Sequence, residues 1–226
     1  METKTIKNYY QQSQIEIDKI KREGLRPSIA IHACCGPCAS FPLEFLTPVF
    51  DVTILYNNSN IYPDTEYQRR LAEIKKYVPI FNKEHNANVK LVEFDYDNES
   101  YTKKLEPLKD CKEGGDRCIL CYTLRMDQAY KYANDHGFDY FTTVMTISRQ
   151  KNSQVLNRIG EKLSHKYQTK YFFSDFKKKK GIDRSQELRK EYHMYNQEYC
   201  GCKYSYEAYL EKEAKKELEE QNDKAD

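Results

Sequence analysis

The chain has 226 residues, of which 39% are hydrophobic, with 37 Lys and Arg against 35 Asp and Glu. That length buries a core without staples, and a formal charge of +2 does not by itself announce a nucleic-acid binder. No apolar run reaches the ~18 residues that a membrane span needs, and eight cysteines are too few for a disulfide scaffold.

Residues 1–27 read as a polar arm with a helical pattern around Ile15 to Ile20. No apolar signal segment opens the chain, so a cytoplasmic location with reduced thiols is expected. Ser28 to His32 is short and apolar, a strand. It runs into the loop Ala33-Cys34-Cys35-Gly36-Pro37-Cys38. Ser40 is the expected cap of a helix holding Phe41, Leu43 and Leu46, with Pro42 in its first turn. Asp51 to Tyr56 is a second strand. Asp64 caps a helix striped by Tyr67, Leu71, Ile74 and Val78, and Pro79 is expected to end it. Asn88 to Phe94 is a third strand. The spacing of Ile119, Tyr122, Met126, Ala129 and Ala133 predicts a helix over 117–136, stopped by Gly137. Tyr140 to Ile147 is a fourth strand, followed by a helix around Leu156, Ile159 and Leu163, and Lys170 to Phe173 a fifth strand. Ser185 is the expected cap of a helix striped by Leu188, Tyr192, Tyr195 and Tyr199. The chain divides into the arm, one α/β domain over 28–206 and a charged helical tail over 207–226.

Strands alternating with helices indicate right-handed βαβ units, hence a parallel sheet with helices on both faces. Such sheets bind ligands at the carboxyl ends of their strands. The first cysteine loop falls at that edge.

The cysteines cluster as Cys34, Cys35 and Cys38; Cys111, Cys118 and Cys121; and Cys200 and Cys202. Reduced, clustered thiols bind metal or do redox work. Cys118 and Cys121 share one helical face with Arg125. Adjacent Cys34 and Cys35 can both turn to one site. Two and two make a four-thiolate site for zinc or an iron–sulfur cluster, and spacing does not choose between them. Cys38 is the better placed of the two remaining candidates. Cys200-Gly201-Cys202 suits either a strained, redox-active disulfide or two further ligands. His32 reads as a hydrogen-bonded strand residue. Lys177 to Lys180 reads as a solvated face, or as a phosphate contact beside Phe172, Phe173 and Phe176. Ser148, Arg149, Lys151 and Asn152 open a helix after the fourth strand, where anions bind. Neither GxGxxG nor GxxxxGK is present.

The motifs together resemble the QueH family of epoxyqueuosine reductases over roughly 28–206. They are His32-Ala33-Cys34-Cys35-Gly36-Pro37-Cys38, Asn60 to Pro63 with Glu66, Tyr67 and Arg70, and Asp95-Tyr96-Asp97. Arg117 to Tyr122 with Arg125, Thr143 to Asn152, Asp175-Phe176 and Tyr195 to Cys202 complete the series. The resemblance implies a Rossmann-like fold, similar to adenine-nucleotide α-hydrolase domains without their ATP loop. It implies reduction of epoxyqueuosine to queuosine at the tRNA wobble position. It implies a 4Fe–4S cluster on Cys34, Cys35, Cys118 and Cys121, and a redox-active pair at Cys200 and Cys202. It further implies a second, mononuclear iron, for which Cys38 is the candidate ligand. Asp95 and Asp116 are candidate proton donors. Arg125, Arg149, Lys151, Lys177 and Lys178 are candidate contacts to the substrate tRNA. The partners expected are that tRNA and an electron donor, with no membrane. Two rival readings are an iron–sulfur tRNA thiolation enzyme, which requires ATP, and a zinc-stabilised RNA-binding module.

Overall fold

The computed structural model describes residues 7–222; the ends of the predicted arm and tail, 1–6 and 223–226, lie outside them. Strands β1 (Ser28–His32), β2 (Asp51–Tyr56), β3 (Lys90–Glu93), β4 (Tyr140–Thr143) and β5 (Lys170–Tyr171) form one sheet. Its order is β3-β2-β1-β4-β5, and every pairing is parallel. Ser28 pairs with Asp51 and Ile29 with Tyr140, so β1 is central. Helices α1 (Tyr9–Arg22), α2 (Gly36–Leu46), α3 (Asp64–Glu84), α4 (Asn98–Leu105), α5 (Asp116–Asp135), α6 (Ser153–Ser164), α7 (Gly181–Glu191) and α8 (Lys203–Asn222) complete the fold. This is the parallel α/β architecture expected from the alternation and the Rossmann-like fold that the resemblance implies.

Two apolar layers sandwich the sheet. One joins Ile29 and Ile31 to Leu43, Leu46, Ile74 and Phe81 of α2 and α3. The other joins Ala30 and Leu55 to Tyr122, Met126 and Ala129 of α5 and Leu156 and Leu163 of α6. Successive β1 residues point to opposite faces, which is why Ile29 and Ala30 fall in different layers. Among the described residues, no helix is long and apolar enough to cross a membrane.

Several boundaries differ from expectation. α2 begins at Gly36 rather than Ser40, because Pro37 occupies its first turn, where a missing N–H costs nothing. Pro42 therefore lies inside the helix. Ser40 does not cap it, and its hydroxyl donates to the Pro37 carbonyl at 2.9 Å. α3 continues through Pro79 to Glu84, because the buried stripe carries on to Phe81. The fourth strand stops at Thr143, and Val144–Ile147 form a tight 3-10 turn. α7 starts at Gly181, and Tyr195 and Tyr199 lie beyond its end. Ser185 instead donates to the Pro37 carbonyl at 2.7 Å, tying α7 to α2.

Candidate functional site at the carboxyl edge of the sheet

The carboxyl end of β1 delivers the chain into Cys34 and Cys35, both buried. Cys35 is the extended N-cap residue of α2, so the first helical turn carries Cys38 back over the pair. The sulfurs of Cys34, Cys35 and Cys38 lie within 4.8 Å of one another. Among the described residues, no fourth Cys, His or carboxylate joins them at that distance. Hydrogen bonds from Cys35 and Cys38 hold the Cys34 thiol well below its ordinary range, helped by the charges of Arg125 and Lys151. The same bonds to Cys34 hold Cys35 and Cys38 up. Three sulfurs thus share one preferred negative charge, the donor set that a thiophilic cation displaces protons from. The trio fits a bound metal.

Cys118 and Cys121 face this edge from the first turns of α5. The Gly114 N–H donates to Cys118 Sγ at 3.2 Å, and Tyr101 Oη–H reaches Cys121 Sγ at 3.4 Å. Burial raises both thiols, Cys121 to about 11. One turn further, Arg125 is 2% exposed. It donates to Asn58 Oδ1 at 2.8 Å, and its Nε has no partner. Asn58 in turn donates to the Ala33 carbonyl at 2.8 Å, tying the guanidinium to the cysteine loop. Burial opposes the charge of Arg125, but the neighbouring sulfurs of Cys121 and Cys34 outweigh it. His32 is neutral, as burial and Arg125 push it down to about 3; its Nδ1 lies 2.9 Å from Thr143 Oγ1, the strand role expected of it.

The Cys200–Cys202 segment is pinned from α3. Arg70, buried against Glu66 at 2.6 Å, donates to the carbonyls of Tyr199 and Cys200, both at 3.2 Å. The Tyr62 N–H donates to the Gly201 carbonyl at 2.7 Å. Gly201 adopts φ +116, and a Cβ there would lie 2.8 Å from Arg70 Nη1. The backbone conformation favours glycine, and a Cβ there would press on the Arg70 guanidinium. Glu66 and Arg70 stand in the motif series of the sequence, but the segment they bracket is not legible there. The bracket's only local signal is the i,i+4 spacing.

A cleft of about 870 Å³ opens here, lined by Tyr122, Lys151, Gln197, Tyr199 and Cys200 among others. Lys151 is 8% exposed and, among the described residues, has no carboxylate partner. Burial opposes its charge, but Cys200 and Cys34 raise it. A smaller cavity of about 180 Å³ lies beside it, lined by Cys35, Cys38 and Arg149.

Other candidates fall elsewhere. Asp95 and Asp116 are exposed, and neither lines either cavity. Lys177 is half-buried and donates to the Lys151 carbonyl at 2.9 Å, so it braces the loop. Phe172 and Phe176 are buried in the core, which removes them from the phosphate-contact reading of the lysine run. Lys178 to Lys180 are exposed.

These features define an α/β protein with thiols gathered at the carboxyl edge of a parallel sheet, beside buried cations. The family model for epoxyqueuosine reductase QueH matches residues 29–208, and the chain belongs to that family. Similar proteins with the same name include one from Streptococcus pyogenes, 43% identical over 185 residues, covering 82% of this chain and 72% of the relative. Another, from Staphylococcus aureus, is 43% identical over 188 residues, 82% of this chain and 78% of the relative. A third, from Thermotoga maritima, is 32% identical over 184 residues, 79% of this chain and 90% of the relative.

Proposed function

We propose that this chain is an epoxyqueuosine reductase acting on tRNA, and that the carboxyl edge of the sheet is its active site. The observation that carries the placement is that the pinned Cys200 and unpaired Lys151 line one open cleft, with Cys35 and Cys38 of the three-sulfur cluster lining the smaller cavity beside it. Cys34, Cys35, Cys118 and Cys121 would hold a 4Fe–4S cluster, with Cys38 turned to a second iron. Bound there, such a group supplies single-electron transfer and Lewis acidity.

The reaction fixes what the residues must do. Both C–O bonds of the epoxide break, a C=C bond forms and the oxygen leaves as water, consuming two electrons and two protons. Closing the Cys200 and Cys202 thiols to a disulfide breaks two S–H bonds, forms one S–S bond and releases two electrons and two protons. The balance is complete, and an electron donor must then restore the dithiol. Lys151 is the cation nearest in character to the need: buried, unpaired and open to the cleft, it stabilises negative charge developing on the departing oxygen. Arg70 holds the Cys200 main chain. The anticodon loop brings unstacked bases and phosphates, and Arg149, which lines the smaller cavity, and exposed Lys178 are the cations proposed to meet its backbone.

The test is anaerobic incubation of iron-reconstituted protein with a strong reductant and epoxyqueuosine-bearing tRNA, without ATP, followed by nucleoside mass analysis. Loss of one oxygen atom is expected. An unchanged nucleoside beside an intact, reduced cluster overturns the reading.

A further inference from the structure

Cys200 and Cys202 are not equivalent in the fold. Cys200 lines the large cleft, and Cys202 does not. The carbonyl of Cys200 is held by Arg70, which fixes the main chain that carries its thiol. Cys202 lies at the head of α8, where its carbonyl accepts the Tyr206 N–H at 3.0 Å. Its thiol donates to Ser205 Oγ at 3.4 Å, and Ser205 Oγ–H donates to the Cys202 carbonyl at 2.9 Å. Ser205 also accepts the Gly201 N–H at 3.2 Å. Burial raises the Cys202 thiol, which keeps it protonated. Cys200 lines the cleft, whereas Cys202 does not and its thiol is engaged by Ser205.

We propose that the pair is directional: Cys200 is the thiol that exchanges with an external disulfide or dithiol in the cleft, and Cys202 is the resolving thiol. This rests on the redox role proposed above. In the oxidising direction the Cys200 thiolate attacks a disulfide RS–SR, forming Cys200–S–SR and releasing RS⁻. Cys202 then attacks the Cys200 sulfur, forming the Cys200–Cys202 disulfide and releasing the second RS⁻. Two protons pass to the two released thiolates, so dithiol plus RS–SR gives disulfide plus two RSH. Reduction runs the same steps backwards, so the physiological donor enters at Cys200.

The test is exposure of the full, iron-reconstituted chain to oxidised glutathione, acid quenching and peptide mapping. Trypsin releases Glu191–Lys203, which holds Cys200 and Cys202 and no other cysteine. The wild-type peptide is expected to lose two hydrogens and retain no glutathione. Cys202→Ser is expected to accumulate glutathione on Cys200, at least ~10-fold faster than Cys200→Ser accumulates it on Cys202. In the reduced wild type, which needs no variant to fold, brief iodoacetamide treatment is expected to label Cys200 before Cys202. Equal or inverted rates, with the wild-type disulfide still forming, overturn the direction and leave the redox pair standing. Failure of the wild type to form either the disulfide or a mixed disulfide overturns both.

Discussion

The sheet has a cleft at each end, of about 870 Å³ at the carboxyl edge and about 740 Å³ at the amino edge. At the amino edge, Lys19, Glu23, Asp139 and Lys166 line a polar trough. All four are exposed to water, and Lys166 pairs with Asp127 at 3.4 Å at the surface. At the carboxyl edge, Arg70, Arg125 and Lys151 are buried, and among the described residues only Arg70 has a carboxylate partner. Surface pairs contribute ~0–1 kcal/mol and ask nothing of a ligand. A buried cation without a carboxylate is costly unless thiolates, a metal site or a bound oxygen answer it. Cavity size does not separate the two ends; the treatment of charge does.

The comparison breaks first, and most severely, at the sulfur cluster. Cys34→Ser is expected to lower anaerobic turnover at least ~10³-fold and to remove the visible absorption of the reconstituted protein. Parallel turnover and absorption measurements check this. Lys151→Met is expected to lower kcat ~10²-fold with absorption and fold retained, since it removes one charge that acts on the departing oxygen. Steady-state kinetics beside a thermal melt separates that outcome from simple unfolding.

A third variant sharpens the contrast. Gly201→Ala forces a Cβ towards Arg70 at a backbone conformation alanine rarely adopts, and is expected to cost ~1–3 kcal/mol. Denaturant titration gives the number. Disulfide formation in the Glu191–Lys203 peptide is expected to slow in the same protein. Replacing exposed Lys178 and Lys179 together by Gln is expected to weaken tRNA binding ~10-fold and to lower its salt slope by about 2, read from affinities at several salt concentrations. The smallest effect belongs to the amino edge: Lys166→Ala is expected to change stability by less than ~1 kcal/mol and leave turnover within about twofold.

Much of this edge was legible because its logic is local. Cys118, Cys121 and Arg125 share a face by helical spacing alone, and the cysteine loop had to follow β1. The three-sulfur cluster was less visible because it depends on where α2 starts. With the helix beginning at Gly36, Cys38 stands one turn above Cys34 and Cys35; a start at Ser40 leaves it in a loop. The Arg70 bracket joins positions 130 residues apart, and no local period reports that. The Lys177 to Lys180 run illustrates the reverse. It reads as one uniform face, yet Lys177 turns inward to the Lys151 carbonyl while Phe172 and Phe176 fill the core. Apolar burial takes both rings away from any contact beside the lysine run.

Iron and acid-labile sulfide content, measured on anaerobically reconstituted protein, tests most directly the claim that the thiols of the carboxyl edge hold the reaction's metal. The account predicts about four iron and four sulfide per chain, with further iron at the second site, lost in Cys34→Ser and kept in Lys166→Ala. A colourless protein holding zinc and no sulfide, or a Cys34→Ser variant that keeps its full iron content, would contradict it.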